Sequence, residues 1–70
     1  MSGWFREQRL AWIKESVRIF GFINREHIEM KFGVSTPQAS MDIRDTIKEW
    51  PNLMQYNPSS KRYEKIEWII

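Results

Sequence analysis

Seventy residues are enough for one domain with a small core, and four Trp, four Phe, two Tyr and four Met are the large side chains on hand to fill it. The chain has no cysteine, which excludes disulfides, thiolate zinc sites and Cys nucleophiles and fits a reducing, cytoplasmic setting. Charges recur throughout, so neither a transmembrane helix nor a secretory signal is legible and no membrane association is expected, while a net charge of +2 is too small to name a polyanion partner unaided.

In chain order, the stretch from Trp4 to Phe20 contains neither Pro nor Gly. Leu10, Ile13, Val17 and Phe20 recur at the three-four spacing of one helical face, which predicts a first helix over about 4–20, stopped by Gly21. Phe5, Trp12 and Ile19 make a second apolar stripe roughly 120° away, at about 100° per residue. That stripe has two readings, a contact with a sheet or the seam of a homodimer. Phe22-Ile23 is a short β-prone pair, and Asn24 suits an N-cap, since its side-chain oxygen can accept from an unpaired first-turn amide. A second helix over about 25–32 follows, with Glu26 near the positive end of its dipole and Ile28 and Phe32 turned inward.

Gly33 ends that helix in the left-handed conformation, Val34 plugs the turn, and Ser35 caps a third helix over about 36–49. Pro37 fits its first turn, where a missing amide hydrogen costs nothing. Ala39, Ile43, Ile47 and Trp50 share one face of the third helix, and Pro51 stops it. Beyond it, Leu53–Tyr56, the turn cluster at 57–60 and Lys61–Ile66 predict a hairpin over about 53–66, with Tyr56 and Tyr63 as packing partners across it. Ile66, Trp68 and Ile70 alternate, so one face of the tail should be covered. The apolar ending leads to the expectation of either a docked last strand or a longer chain, and the C-terminal strand is the alternative homodimer contact. The succession defines an α+β winged helix-turn-helix fold, three helices followed by a β-hairpin wing, as a single domain over residues 1–70.

The stretch from Asn24 to Ile43 carries the functional information. A helix-turn-helix needs a small turn residue, an apolar residue, a cap and a small residue where two helices cross; Gly33, Val34, Ser35 and Ala39 supply them in order. The run Phe32-Gly33-Val34-Ser35, followed by Pro37-Gln38-Ala39-Ser40 and Asp42-Ile43, resembles the DNA-binding domains of DeoR-like bacterial regulators. It is most similar to the N-terminal winged helix of WYL-domain transcriptional regulators, including those associated with phage defence. The wing of that family is matched here by Tyr56-Asn57-Pro58-Ser59-Ser60-Lys61-Arg62-Tyr63. The resemblance covers about residues 9–64 and implies binding of double-stranded DNA by a repressor, as a dimer on a two-fold site.

In such a complex the third helix enters the major groove with its N-terminal half. Ser35, Thr36, Pro37, Gln38, Ser40, Met41 and Arg44 are then the candidate contacts. Gln38 is the candidate for a bidentate pair with adenine N6 and N7, and Ser40 for a base edge. Met41 or the Thr36 methyl is suited to a thymine methyl, and Arg44 to a phosphate or a guanine. Lys61 and Arg62, with Ser59 and Ser60, form a cationic wing tip suited to phosphates, and Arg25 with the amides of the second helix could grip another. The competing reading is a solvated helix and hairpin that merely carry charge.

His27, the only histidine, has no Cys and no second His to share a metal with and reads as a helix-surface residue. No metal, cofactor or catalytic residue is expected, and no enzyme activity. Glu15 with Arg18 and Asp45 with Lys48 read as ordinary i,i+3 pairs. The rival function is a winged helix that contacts protein rather than DNA, motivated by the aromatic surplus of Trp4, Phe5, Trp12 and Trp68.

Overall fold

α1 (Ser2–Phe20), β1 (Phe22–Ile23), α2 (Arg25–Phe32), α3 (Thr36–Glu49), β2 (Met54–Asn57) and β3 (Arg62–Lys65) follow one another in a computed structural model that describes residues 2–66. This is the α+β winged-helix arrangement the sequence pattern called for. Trp68 and Ile70, read above as the covered side of the tail and as an alternative dimer contact, lie outside the described residues. No helix among the described residues is long and apolar enough to cross a membrane.

α1 begins at Ser2, two residues ahead of the expected start near Trp4, because nothing in Ser2-Gly3 prevents the first turn from extending back. Leu10, Ile13 and Val17 are buried as their spacing demands, but Phe20 is 70% exposed. It lies on the same stripe in the final turn, at the rim of an apolar groove with Trp12, Phe22 and Met30, and Gly21 at φ +88 then turns the chain into β1. The second stripe divides. Trp12 meets Phe32 of α2 edge-on, with centroids 5.5 Å apart, so its partner is a helix rather than the sheet. Phe5 and Ile19 remain exposed.

α2 is fixed at both ends. The Asn24 side chain accepts from the His27 amide, and the Asn24 amide donates to His27 Nδ1, a reciprocal capping box in which His27 stands where Glu or Gln is usual. His27 is exposed, as read, and serves in addition as a capping residue. At the other end Gly33 adopts φ +66 and returns its amide to the Glu29 carbonyl at 2.8 Å. Ser35 accepts from the Gln38 amide and starts α3, with Pro37 in the first turn. α2 and α3 pack against each other across this corner, with fully buried Ile28 and Ala39 among the residues of the shared core.

The sheet runs β1-β3-β2, antiparallel throughout, so the last strand is the central one. Tyr56 faces Tyr63 on one side of it, with ring centroids 5.0 Å apart, and Phe22 faces Glu64 on the other. A lone hairpin would be marginal in water. The two-residue β1, which pairs with β3, ties the hairpin to the segment between α1 and α2.

The core is aliphatic at its centre: Ile13, Val17, Ile23, Ile28, Ala39, Ile43 and Met54, with Trp12, Phe32, Val34, Ile47, Leu53 and Tyr63 around it. The aromatic residues thus form a rim instead of filling the middle. α3 also departs from its expected inner face, because Asp42 and Thr46 are fully buried beside Ala39 and Ile43, while Ile47 is only partly buried. The helix is rotated toward α1. That rotation brings Asp45 to Arg6 at 3.2 Å in place of the expected Lys48, whereas Glu15 and Arg18 pair within α1 at 3.4 Å as read.

Candidate nucleic-acid interface

Turning the apolar side of α3 inward leaves a defined outer face. Thr36, Pro37, Met41 and Arg44 are exposed, and Gln38 and Ser40 are partly so. Ser35 is also exposed, but its hydroxyl is engaged as the helix cap. Arg25, the first residue of α2, donates to the Ser40 hydroxyl at 3.3 Å, which draws the start of α2 against the middle of α3. A polar concavity lined by Arg25, Glu26, Glu29, Thr36, Tyr56 and Lys61 joins both helices to the wing. A second, lined by Ser40, Arg44, Lys48 and Tyr63, joins the outer side of α3 to the sheet. Of the candidate residues, Arg25, Thr36, Ser40, Arg44 and Lys61 therefore line concavities where two helices meet the hairpin.

The wing tip is a braced turn. Asn57 Oδ1 accepts from the amides of Ser59 and Ser60, and its carbonyl accepts from the Lys61 amide at 2.7 Å. Lys61 itself sits at φ +59, a left-handed position that a non-glycine residue holds at some cost, and it is exposed. Arg62 behaves differently. Its Nε donates to Glu64 at 2.9 Å and its guanidinium lies 4.1 Å from the centre of the Phe22 ring. Of the two tip cations, Lys61 is exposed and Arg62 is folded back on the sheet. Ser60 likewise donates its hydroxyl to Glu64 at 2.9 Å.

Glu64 gathers these contacts. Hydrogen bonds from Asn57, then Arg62, then Ser60 hold its carboxyl down from the ordinary 4.5 to about 2, against a small opposing effect of burial. The sequence names Asn57 only as a turn residue and does not single out Glu64. Strand alternation sets Glu64 on the same face as Arg62, two residues away, but nothing in that spacing points to Asn57 and Ser60 as its other partners.

Two more residues were missed, and they bear on the outer face of α3. Asp42, buried in α3, accepts from Arg9 Nε at 2.7 Å and Nη2 at 3.3 Å, and from Gln38 Nε2 at 2.9 Å. The Thr46 hydroxyl donates to the Asp42 carbonyl at 2.7 Å. An acid one turn after Gln38 and three residues after Ala39 falls on the inward side of the helix, where a carboxylate requires a cation. Arg9, beside Leu10 on α1, was available for that role. Among the described residues no group of three or more His, Cys, Asp or Glu side chains is arranged to hold a metal ion.

Three helices with a glycine-cornered helix pair, an exposed polar third helix and a hairpin closing over its side define a winged helix-turn-helix domain. Residues 6–68 match the family described as the BrxR transcriptional regulator winged helix-turn-helix domain, and the chain belongs to that family. It is 40% identical over 60 residues to the DNA-binding transcriptional repressor CapW of Escherichia coli (strain KTE188), covering 86% of this chain and 20% of that protein. It is 36% identical over 64 residues to the repressor of the same name from Pseudomonas aeruginosa, covering 91% and 21% respectively. The chain spans about a fifth of the length of the curated relatives it matches. The resemblance read from Phe32–Ile43 and from the wing thus holds at the level of the family.

Proposed function

We propose that this chain is a sequence-specific binder of double-stranded DNA that represses transcription by occluding a promoter. The observation that carries this reading is the polar outer face of α3, Thr36 to Arg44, beside Arg25 on one side and the wing on the other. It accords with the relatives' names, which are those of DNA-binding transcriptional repressors. In this reading residues 1–70 act as one unit, by binding and without a catalytic step, in the cytoplasm where promoters are.

The N-terminal half of α3 enters the major groove. Gln38 and Ser40 address base edges, Met41 and the Thr36 methyl meet apolar edges, and Pro37 packs close to the backbone. Arg44, Arg25 and Lys61 neutralise phosphates, with the Ser59 and Ser60 hydroxyls beside Lys61. Ser35 acts by orienting the helix, and Arg62 by holding the wing in place. The test is titration of labelled duplexes from a random pool at low and at moderate salt. Enrichment of a defined site, with affinity falling as salt rises, is the expected outcome. No measurable duplex affinity at low salt would sink the reading.

Exposed Phe5, Ile19, Phe20 and Met30 favour a second use of the same chain, contact with protein. None of these four lies on α3, so such contact is compatible with DNA binding. A homodimer through α1 would use Phe5 and Ile19, with Trp12 contributing only the edge left free by Phe32. Sedimentation velocity decides it: a monomer that persists as concentration is raised removes the α1 seam.

A further inference from the structure

We propose that buried Asp42, held by Arg9, is a specificity-determining positioning residue that fixes which way round the Gln38 carboxamide meets a base. The inference rests on the base-reading role given to Gln38 above and extends it to two residues that touch no base.

The Asp42 side chain is 1% exposed, and that of Arg9 17%. Arg9 supplies the opposite charge that a carboxylate in the interior requires, and its fork leaves Asp42 little freedom to rotate. What remains of Oδ1 is an acceptor pointing at Gln38 Nε2, 2.9 Å away and one helical turn back. A carboxylate accepts and does not donate, so only the nitrogen end of the carboxamide can face it.

On an open helix face a Gln side chain presents its oxygen and nitrogen in either order and samples many rotamers. Here the order is set before any duplex arrives. One amide hydrogen is engaged with Asp42, which leaves the second hydrogen and Oε1 as an adjacent donor and acceptor. That pair is the complement of adenine N7 and N6, and it is the wrong pair for the two acceptors of guanine. Because the rotamer is already held, less freedom is lost on binding than for an unanchored Gln. Asp42 and Arg9 thereby act on base choice through Gln38.

The test is selection of bound duplexes from a random pool for the unsubstituted chain and its variants, with circular dichroism on each. Gln38→Ala identifies the base pair that Gln38 reads. At that pair Asp42→Asn, whose amide can face Gln38 with either atom, should lower the preference from about ten- to hundred-fold to about two-fold. Preferences at other positions should keep their ranking. Arg9→Lys replaces the fork with a single ammonium and should give the same position-restricted loss, which decides the matter if Asp42→Asn does not fold. A full preference retained at the Gln38 pair, or a loss spread evenly over all positions in folded variants, would overturn the positioning role. Gln38→Ala leaving every position unchanged would overturn it as well. Failure of the unsubstituted chain to select any duplex is a different result, and it removes the DNA reading itself.

Discussion

At the scale of single residues, the wing depends on a carboxylate that the sequence did not advertise. Glu64 takes hydrogen bonds from Asn57, Arg62 and Ser60, and its carboxyl is held at about 2 against an ordinary 4.5. The folded form thus binds this proton less tightly than the unfolded chain does. Its contribution to stability is complete above about pH 4.5 and is lost as pH falls toward 2. Thermal melting of the parent chain and of Glu64→Gln should therefore differ above pH 4.5 and converge in acid; curves that stay parallel would show that the brace contributes nothing. Gly33 makes a second residue-scale case. At φ +66, with no atom within 4 Å of an added Cβ, its substitution is a matter of backbone alone. Gly33→Ala should cost about 1–2 kcal/mol by urea denaturation, and Gly33→Asn less, since Asn tolerates the left-handed region.

At the scale of elements, α3 is joined to α1 by charge as well as by packing. Arg9 and Asp42 form a largely buried pair, so removing one partner strands the other. Arg9→Met should destabilise the domain by about 3–5 kcal/mol, and the double variant Arg9→Met with Asp42→Leu should recover most of that, as read by denaturant midpoints. A double variant as unstable as the single one would mean that the pair contributes more than mutual neutralisation. The same helices mark where sequence reading stops. The caps were legible because Asn24, Ser35 and Gly33 act within one turn of their own position, where local chemistry decides. The α+β class was legible because Leu10, Ile13 and Val17 keep helical spacing and the turn cluster after Tyr56 separates two short strands. The rotation of α3 was not. Ile47 and Trp50 look as apolar as Ala39 and Ile43, and only the distant Arg9 makes an inward Asp42 tolerable. Phe20 failed for a related reason: periodicity fixes the angle of a side chain around its helix but says nothing of what packs over it there.

At the scale of the whole molecule, a net charge of +2 gives little long-range attraction to a polyanion, so the salt dependence of binding should report local contacts. Arg25, Arg44, Lys48 and Lys61 are exposed cations bordering the outer face of α3, with Glu26 and Glu29 set among them. If each cation meets one phosphate, the logarithm of the binding constant should fall with the logarithm of salt concentration at a slope of about −3 to −4 per chain. Lys61→Ala should reduce that slope by about 0.9 and weaken all duplexes alike, because a phosphate contact carries no base information. Arg62→Ala separates the two accounts of the wing. With its guanidinium between Glu64 and Phe22, Arg62 acts on the shape of the hairpin, so its loss should lower the melting temperature and leave the slope nearly unchanged. A reduction as large as that of Lys61→Ala would instead mean that Arg62 leaves Glu64 when DNA binds and takes a phosphate. The brace would then be a resting arrangement that the duplex dissolves.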